Sequence, residues 1–161
     1  METSWESELA TLLTDLLGVQ DELQTVLTRK RELLIQPDPE GLAAIAGQED
    51  KLVLALKECL NRREELLERA RRKGLPSTSI RALTRSLPGN QREPLGEKVT
   101  LAGAQARLLR HHSLTNWVVI QRTLLHLSQI LEIIATGGRL QPTYGEGEPV
   151  GASGGLVDRA A

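Results

Sequence analysis

The sequence predicts an all-α fold: an antiparallel hairpin of two long helices plus a third long helix, forming a coiled-coil-like helical bundle, with a flexible Gly-rich C-terminal tail. Three observations predict it. Leucines recur at spacings of three and four between Glu, Lys, Arg and Gln, which is the pattern of amphipathic helices. The β-branched and aromatic residues that favour strands are sparse before Val118. Pro and Gly cluster at a few places, which then mark the helix ends.

The first helix is predicted to begin after Ser4, a suitable N-cap, and to end near Gln36. Its apolar residues keep a heptad-like spacing from Trp5 to Leu33, and only Lys30 interrupts them. At ~1.5 Å per residue such a helix is roughly 50 Å long.

The second helix is predicted to begin with Asp38 as N-cap and Pro39 at its first position, and to end at Lys73-Gly74. Because the connection between the first two helices is so short, they should be antiparallel neighbours. Glu49 and Arg63 interrupt the apolar seam of the second helix.

The region from residue 75 to 95 contains three prolines and separates the second helix from the third. Within it, SIRALTRSL predicts a short helix and PGNQREP predicts a loop. The third long helix is predicted from about Pro94 to Thr136, where Gly137-Gly138 ends it.

The densest apolar stretch of the chain is WVVIQRTLLHLSQILEII, residues 117–134. One stripe on it comprises Trp117, Ile120, Leu124, Leu127, Leu131 and Ile134. Five further apolar residues lie off that stripe: Val118, Val119, Leu125, Ile130 and Ile133. A helix that is apolar around much of its circumference is buried on several sides or binds a partner. Because the rest of the chain looks too short to bury every side, we predict a partner-binding protein, with the stripe serving either core or partner.

The composition changes at residue 137, so we predict a helical bundle domain over 1–136 and a Gly/Pro-rich tail over 137–161. Half of the 14 glycines lie in this tail. Such a segment buries too little apolar surface to offset the entropy of ordering, so we expect it to be mobile when alone. Leu140 and Tyr144 are its only side chains suited to docking.

The motifs of catalytic and metal sites are missing from the sequence, which indicates neither an enzyme nor a cofactor. No Gly-rich phosphate loop, nucleophile elbow or paired-cysteine site occurs. The adjacent His111 and His112 would point ~100° apart on a helix, so they cannot share one metal ion. The Glu-x-x-His pairs of di-iron bundles do not occur either.

Charge and hydropathy indicate a cytoplasmic protein that binds neither nucleic acid nor membrane. The net charge is −1, and the basic run Arg69–Lys73 lacks nearby aromatics for base stacking, so we interpret it as a solvated helix end. No window reaches ~18 uninterrupted apolar residues, and no signal peptide is visible. The lone Cys59 fits a reducing compartment.

Two segments of the chain carry a family resemblance: EDKLVLALKECLNRREELL, and the apolar run after Asn116 that leads to Gly137 and Tyr144-Gly145. Together they resemble the FlgN family of flagellar export chaperones. The segment EDKLVLALKECLNRREELL, with Lys51 before the leucines and Arg62-Arg63 before Leu66-Leu67, resembles the family's second helix. Asn116, the apolar run after it, Gly137 and then Tyr144-Gly145 with Gly147 resemble the family's ending. The stretch from Ser77 to Gly96 and the last residues, ASGGLVDRAA, match nothing in the family pattern.

The resemblance implies a cytoplasmic chaperone that binds the helical C-terminal segments of hook–filament junction proteins, prevents their premature assembly and aids delivery to the flagellar type III export apparatus. The resemblance and the two docking side chains of the tail, Leu140 and Tyr144, together give the expected partner-binding residues. These are Asn116, Trp117, Val119, Ile120, Leu124, Leu127, Ile130, Leu131, Ile134, Leu140 and Tyr144. The alternative is a coiled-coil scaffold or homo-oligomeric adaptor that uses the same apolar face for self-association.

Overall fold

The computed structural model describes residues 4–138, and within them the fold is all-α, as predicted. Its helices are α1 (Trp5–Ile35), α2 (Pro39–Arg72), α3 (Ile80–Arg85) and α4 (Gly89–Ala135). The chain divides into two compact units, residues 1–123 and residues 124–161. Leu140, Tyr144 and nearly all of the expected tail lie outside the described residues, so the boundary at residue 136 and the mobility of the tail stay predictions.

The link between α1 and α2 is a tight turn that the sequence specifies closely. The Asp38 carboxylate accepts a hydrogen bond from the Gly41 amide at 2.9 Å, and Pro39 occupies the first position of α2. A Cβ atom on Gly41 would lie 2.6 Å from Asp38 Oδ2 and 2.8 Å from Leu33 Cδ2. A side chain at position 41 would therefore require the Asp38 carboxylate and the Leu33 side chain to move.

Three ion pairs join α1 to α2 and fix their antiparallel direction. Glu8 pairs with Arg69, Asp15 with Arg62 at 2.8 Å, and Lys30 with Glu49 at 2.9 Å. The residue numbers of the α1 partners rise as those of the α2 partners fall, which is the pattern of an antiparallel hairpin. Lys30 and Glu49, which interrupt the predicted seams of their two helices, are partly buried and neutralise each other.

The core of the first unit is aliphatic and draws on all four helices. Its buried residues are Leu9, Leu12, Leu13, Cys59, Leu66, Leu67, Ala70, Ile80, Leu83, Leu87, Leu95 and Ala102. A smaller cluster joins Leu23 and Val26 of α1 to Leu52 of α2. The leucine spacing seen in the sequence thus corresponds to buried faces on the two hairpin helices.

The short helix α3 forms where SIRALTRSL predicts it. The Ser79 hydroxyl accepts a hydrogen bond from the Ala82 amide at 3.0 Å and caps the helix. Ile80, Leu83 and Thr84 are buried. A helix of six residues has little stability of its own, so this buried face holds it in place.

The helix α4 begins at Gly89, so the prediction of a loop at PGNQREP and of a helix start near Pro94 was wrong. The amides of Gln91 and Arg92 donate to the Pro88 carbonyl at 3.0 and 3.1 Å and form the first turn. Pro94 is the sixth residue of α4 and has no amide that could donate to the Asn90 carbonyl. Asn90 is exposed, so water can donate to this carbonyl instead.

Within the first unit, α4 runs parallel to α1, and side-chain hydrogen bonds join the two helices in addition to the apolar core that they share. Lys98 donates to Thr14 Oγ1 at 3.1 Å, and Gln20 donates to the Ala102 carbonyl at 3.1 Å. Further along, Asn116 donates to the Leu27 carbonyl. The backbones of α1 and α2 approach closely, whereas α4 lies farther from both.

Candidate functional site

The most unusual surface of the described chain lies on the last turns of α4, in the second unit. Every residue from 121 to 138 is exposed. Seven large aliphatic side chains are between 39% and 70% exposed: Leu124, Leu125, Leu127, Ile130, Leu131, Ile133 and Ile134. We call residues Leu124–Ile134 the exposed apolar segment. Soluble monomers seldom leave so many contiguous aliphatic side chains in water, so this segment is the first candidate for a binding surface.

The exposed apolar segment presents one broad uncharged face. At about 100° per residue, Leu124, Leu127, Ile130, Leu131 and Ile134 fall within an arc of about 120°. His126 and Glu132 are the only acidic or basic residues of the segment, and neither lies within this arc. A second helix could therefore pack along this face without burying an unpaired charge.

The expected partner-binding residues differ in accessibility. Leu124, Leu127, Ile130, Leu131 and Ile134 are exposed. In the first unit, Trp117 is 57% exposed, while Val119 and Ile120 are partly buried. Leu140 and Tyr144 lie beyond the described residues.

Asn116 is a correction to the expected site, because its side chain is buried and only 3% exposed. Its Nδ2 donates to the Leu27 carbonyl at 2.9 Å, and its Oδ1 accepts from Arg31 Nε at 3.2 Å. Burying an amide among apolar residues is favourable only when such hydrogen bonds are made. Asn116 therefore connects α4 to α1, and its side chain is not accessible to a partner in this structure.

A polar cluster surrounds this contact between α1 and α4. Arg31 Nη2 lies 2.8 Å from His112 Nδ1, while Arg31 Nε bonds to Asn116. Because the guanidinium can only donate, His112 Nδ1 must accept, which requires the neutral imidazole. Desolvation, followed by the charge of Arg31 and then His111, lowers the pKa of His112 below its usual 6.5.

This lowered pKa predicts that the protein loses stability as the pH falls through 6.5. In that range the unfolded chain takes up a proton on residue 112 more readily than the folded chain, so acid favours unfolding until the pH passes the folded pKa. The measurement is urea unfolding between about pH 7.5 and 5.5. Over this range the free energy of unfolding should fall less for His112→Gln than for the original chain, because the Gln amide still accepts from Arg31 but does not titrate. His126→Gln, at an exposed site, is the matched control. Equal losses in all three proteins would contradict the role given to His112.

An apolar cleft in the first unit lies among α1, α2 and α4 and has a volume of about 380 Å³. Leu13, Leu56 and Leu109 are among the side chains that line it, and Gln20 lies at its wall. The Oε1 atom of Gln20 is buried without a hydrogen-bond partner. This cleft could not be predicted from the sequence, because it arises where α4 lies apart from the hairpin.

The structure offers no metal-binding cluster within residues 4–138, where no group of three His, Cys, Asp or Glu side chains converges. The Cys59 thiol is buried, and burial raises its pKa, which makes it a poor nucleophile. One helix, α4, is long and apolar enough to cross a bilayer, with a mean hydropathy of 1.3 over 18 residues. Length and composition alone do not distinguish a membrane span from an apolar helix that binds other proteins.

Comparison with known proteins gives one match. A family model described as FlgN protein matches residues 1–148, which covers α1 to α4. Neither a curated protein nor a solved structure matches the chain. The family match extends through the exposed apolar segment and past Tyr144.

Proposed function

This chain belongs to the FlgN family of flagellar export chaperones, and we propose that it binds the helical C-terminal segments of hook–filament junction proteins before their export. The single observation that carries the proposal is the exposed apolar segment Leu124–Ile134. A flagellar chaperone needs a surface of this kind, because subunits that assemble through amphipathic helices would otherwise associate too early. We place this binding in the cytoplasm, ahead of delivery to the flagellar type III export apparatus.

The proposed mechanism is stoichiometric helix–helix capture without catalysis. The uncharged face formed by Leu124, Leu127 and Leu131 would cover the apolar stripe of a cargo helix. Ile130 and Ile134 extend this face, and Trp117 offers a large exposed ring earlier on the same helix. Burial of such aliphatic side chains contributes about 1.5–3 kcal/mol each when complete, so several of them are needed to offset the entropy lost on association.

Leu140 and Tyr144 are proposed as additional contacts. Both lie within the 1–148 match, just after the Gly137-Gly138 helix end. A segment that becomes ordered only on binding adds contacts and slows dissociation. A version of the chain ending at Thr136 should then release cargo faster than the full chain.

A second candidate function is self-association, as in a coiled-coil scaffold or homo-oligomeric adaptor. It is favoured by the same observation, because an uncharged apolar face suits a second copy as well as a cargo helix. The two functions differ in what they predict for the isolated chain.

Sedimentation of the purified chain, alone and with a synthetic C-terminal segment of a hook–filament junction protein, separates the two candidates. The chaperone proposal expects a complex with the segment, and any self-association of the empty chain should give way to it. A stable oligomer at all concentrations that takes up no segment would support the scaffold. Truncation at Thr136 in the same experiment tests the contribution of Leu140 and Tyr144.

A further inference from the structure

The charges of this nearly neutral chain are unevenly distributed. The stretch from Arg69 to Arg92 contains seven basic residues and no acidic residue. The remainder of the chain holds the other 13 basic residues and all 21 acidic ones. A local excess of this size attracts acidic partners even though the whole molecule has a net charge of −1.

The fold exposes all of these cations on neighbouring elements of the first unit. We call them the basic corner: Arg69, Arg71, Arg72, Lys73, Arg81, Arg85 and Arg92. The first four occupy the end of α2, and Arg92 lies in the first turn of α4. The α3 helix packs on α2 and buries Ile80, Leu83 and Thr84. Arg81 and Arg85 are one turn apart on α3 and are exposed.

Some cations of the basic corner already have partners. Arg69 pairs with Glu8 and lies 5.3 Å from the centre of the Trp5 ring, and Lys73 lies 5.6 Å from the same ring. Arg71 pairs with Glu68 at 2.9 Å. Arg92 donates to the Leu87 carbonyl at 3.2 Å.

Three guanidinium groups of the basic corner are left with neither a hydrogen bond nor an ion pair among the described residues: Arg72, Arg81 and Arg85. Arg72 also lines an open cavity of about 730 Å³ together with Trp5, Arg69 and Lys73. Each guanidinium presents a planar fork of N–H donors that matches a carboxylate.

We infer that the basic corner is a second docking surface, separate in function from the exposed apolar segment, that binds an acidic segment of another protein. The carboxylates of Glu8 and Glu68 occupy Arg69 and Arg71 within the chain itself. Carboxylates of a partner would occupy Arg72, Arg81 and Arg85 in the same manner. The inference goes beyond cargo binding and does not depend on which cargo the chaperone carries.

The details of the surface favour a protein over nucleic acid or a membrane. Arg69 and Lys73 already lie over the Trp5 ring, so a base that stacked on this ring would compete with them. Glu6 and Glu8 also line the cavity and repel any anion there, so a partner with spaced carboxylates fits the basic corner better than a continuous phosphate backbone. No large apolar side chain between residues 69 and 92 is exposed, so the surface has nothing to insert into a bilayer.

The test compares two triple variants of the full chain with equal loss of charge. One replaces Arg72, Arg81 and Arg85 by Gln, and the control replaces the exposed Arg107, Arg110 and Arg122 by Gln. The probe is a fluorescent peptide with glutamate at alternate positions, measured by anisotropy over a range of salt concentrations. We expect the corner variant to bind about tenfold more weakly or worse and the control to bind like the original chain.

Several outcomes would overturn the inference. Equally weakened peptide binding in both variants would indicate a general charge effect. If the peptide did not bind the original chain, the basic corner would not be a docking surface for acidic segments. A single-stranded RNA or phosphatidylserine vesicles that bind more tightly than the peptide, with the same dependence on the corner, would assign it to another partner. Circular dichroism checks that both variants keep their helices. Because cargo capture is measured with a different peptide, the two proposals succeed or fail separately.

Discussion

Replacing Leu131 by Glu should weaken binding of a junction-protein C-terminal segment by about 100-fold or more. Leu131 is 58% exposed on the uncharged face, so a cargo helix that covers this face would bury it. Truncating a central contact costs at least about 2 kcal/mol, and burying an unpaired carboxylate adds to this cost. Isothermal titration with the synthetic segment measures the change.

The matched control is Leu54→Glu, which adds the same charge at a leucine that is 64% exposed on α2. Both variants should unfold at nearly the temperature of the original chain, because neither residue contributes to the buried core. If Leu131→Glu kept its fold and bound the segment as tightly as the original chain, the exposed apolar segment would not be the cargo site. A loss of helicity in that variant would instead give Leu131 a role in folding.

Replacing Leu9 by Ala should lower the free energy of unfolding by about 2–5 kcal/mol. Leu9 is fully buried in the main core cluster, so its removal leaves a cavity among well-packed aliphatic neighbours. Since domains of this size are stable by only about 5–15 kcal/mol, the variant should be strongly destabilised. Urea unfolding followed by circular dichroism gives the value.

Leu54→Ala serves as the comparison for Leu9→Ala, because it makes the same chemical change at an exposed position of α2. Its effect should stay within about 0.5 kcal/mol. If the two substitutions had similar effects, the assignment of Leu9 to the core would be wrong. The small second cluster at Leu23 cannot compensate, since it has only three buried members.

The ends of the first three helices were predictable because local chemistry sets them. Asp38, Pro39 and Ser79 act on residues three or fewer positions away, and Gly74 has the positive φ of 70° that a helix end favours. The start of α4 was missed because Pro88-Gly89-Asn90 has the composition of a turn. A proline early in a helix removes few hydrogen bonds, so local composition did not decide that boundary.

The role of Asn116 depends on residues far away in the chain, and the sequence therefore could not reveal it. Its hydrogen-bond partners Leu27 and Arg31 belong to α1. The same holds for the basic run at the end of α2, which we interpreted as a solvated helix end. Only the packing of α3 on α2 adds Arg81 and Arg85 to it. The apolar run of α4, in contrast, was visible directly in the sequence, although the sequence left open whether its stripe serves the core or a partner.

The near absence of aromatic residues gives each proposed surface its own fluorescent reporter. The chain has two tryptophans and no phenylalanine. Trp5 contacts Arg69 and Lys73 of the basic corner, whereas Trp117 is exposed where the dense apolar stretch of α4 begins. In single-tryptophan variants, water leaving the Trp117 ring should shift its emission to the blue when cargo binds. A partner carboxylate on Arg72, which lines the same cavity as Trp5, should change the emission intensity of that ring, so occupancy of the two surfaces can be followed one at a time.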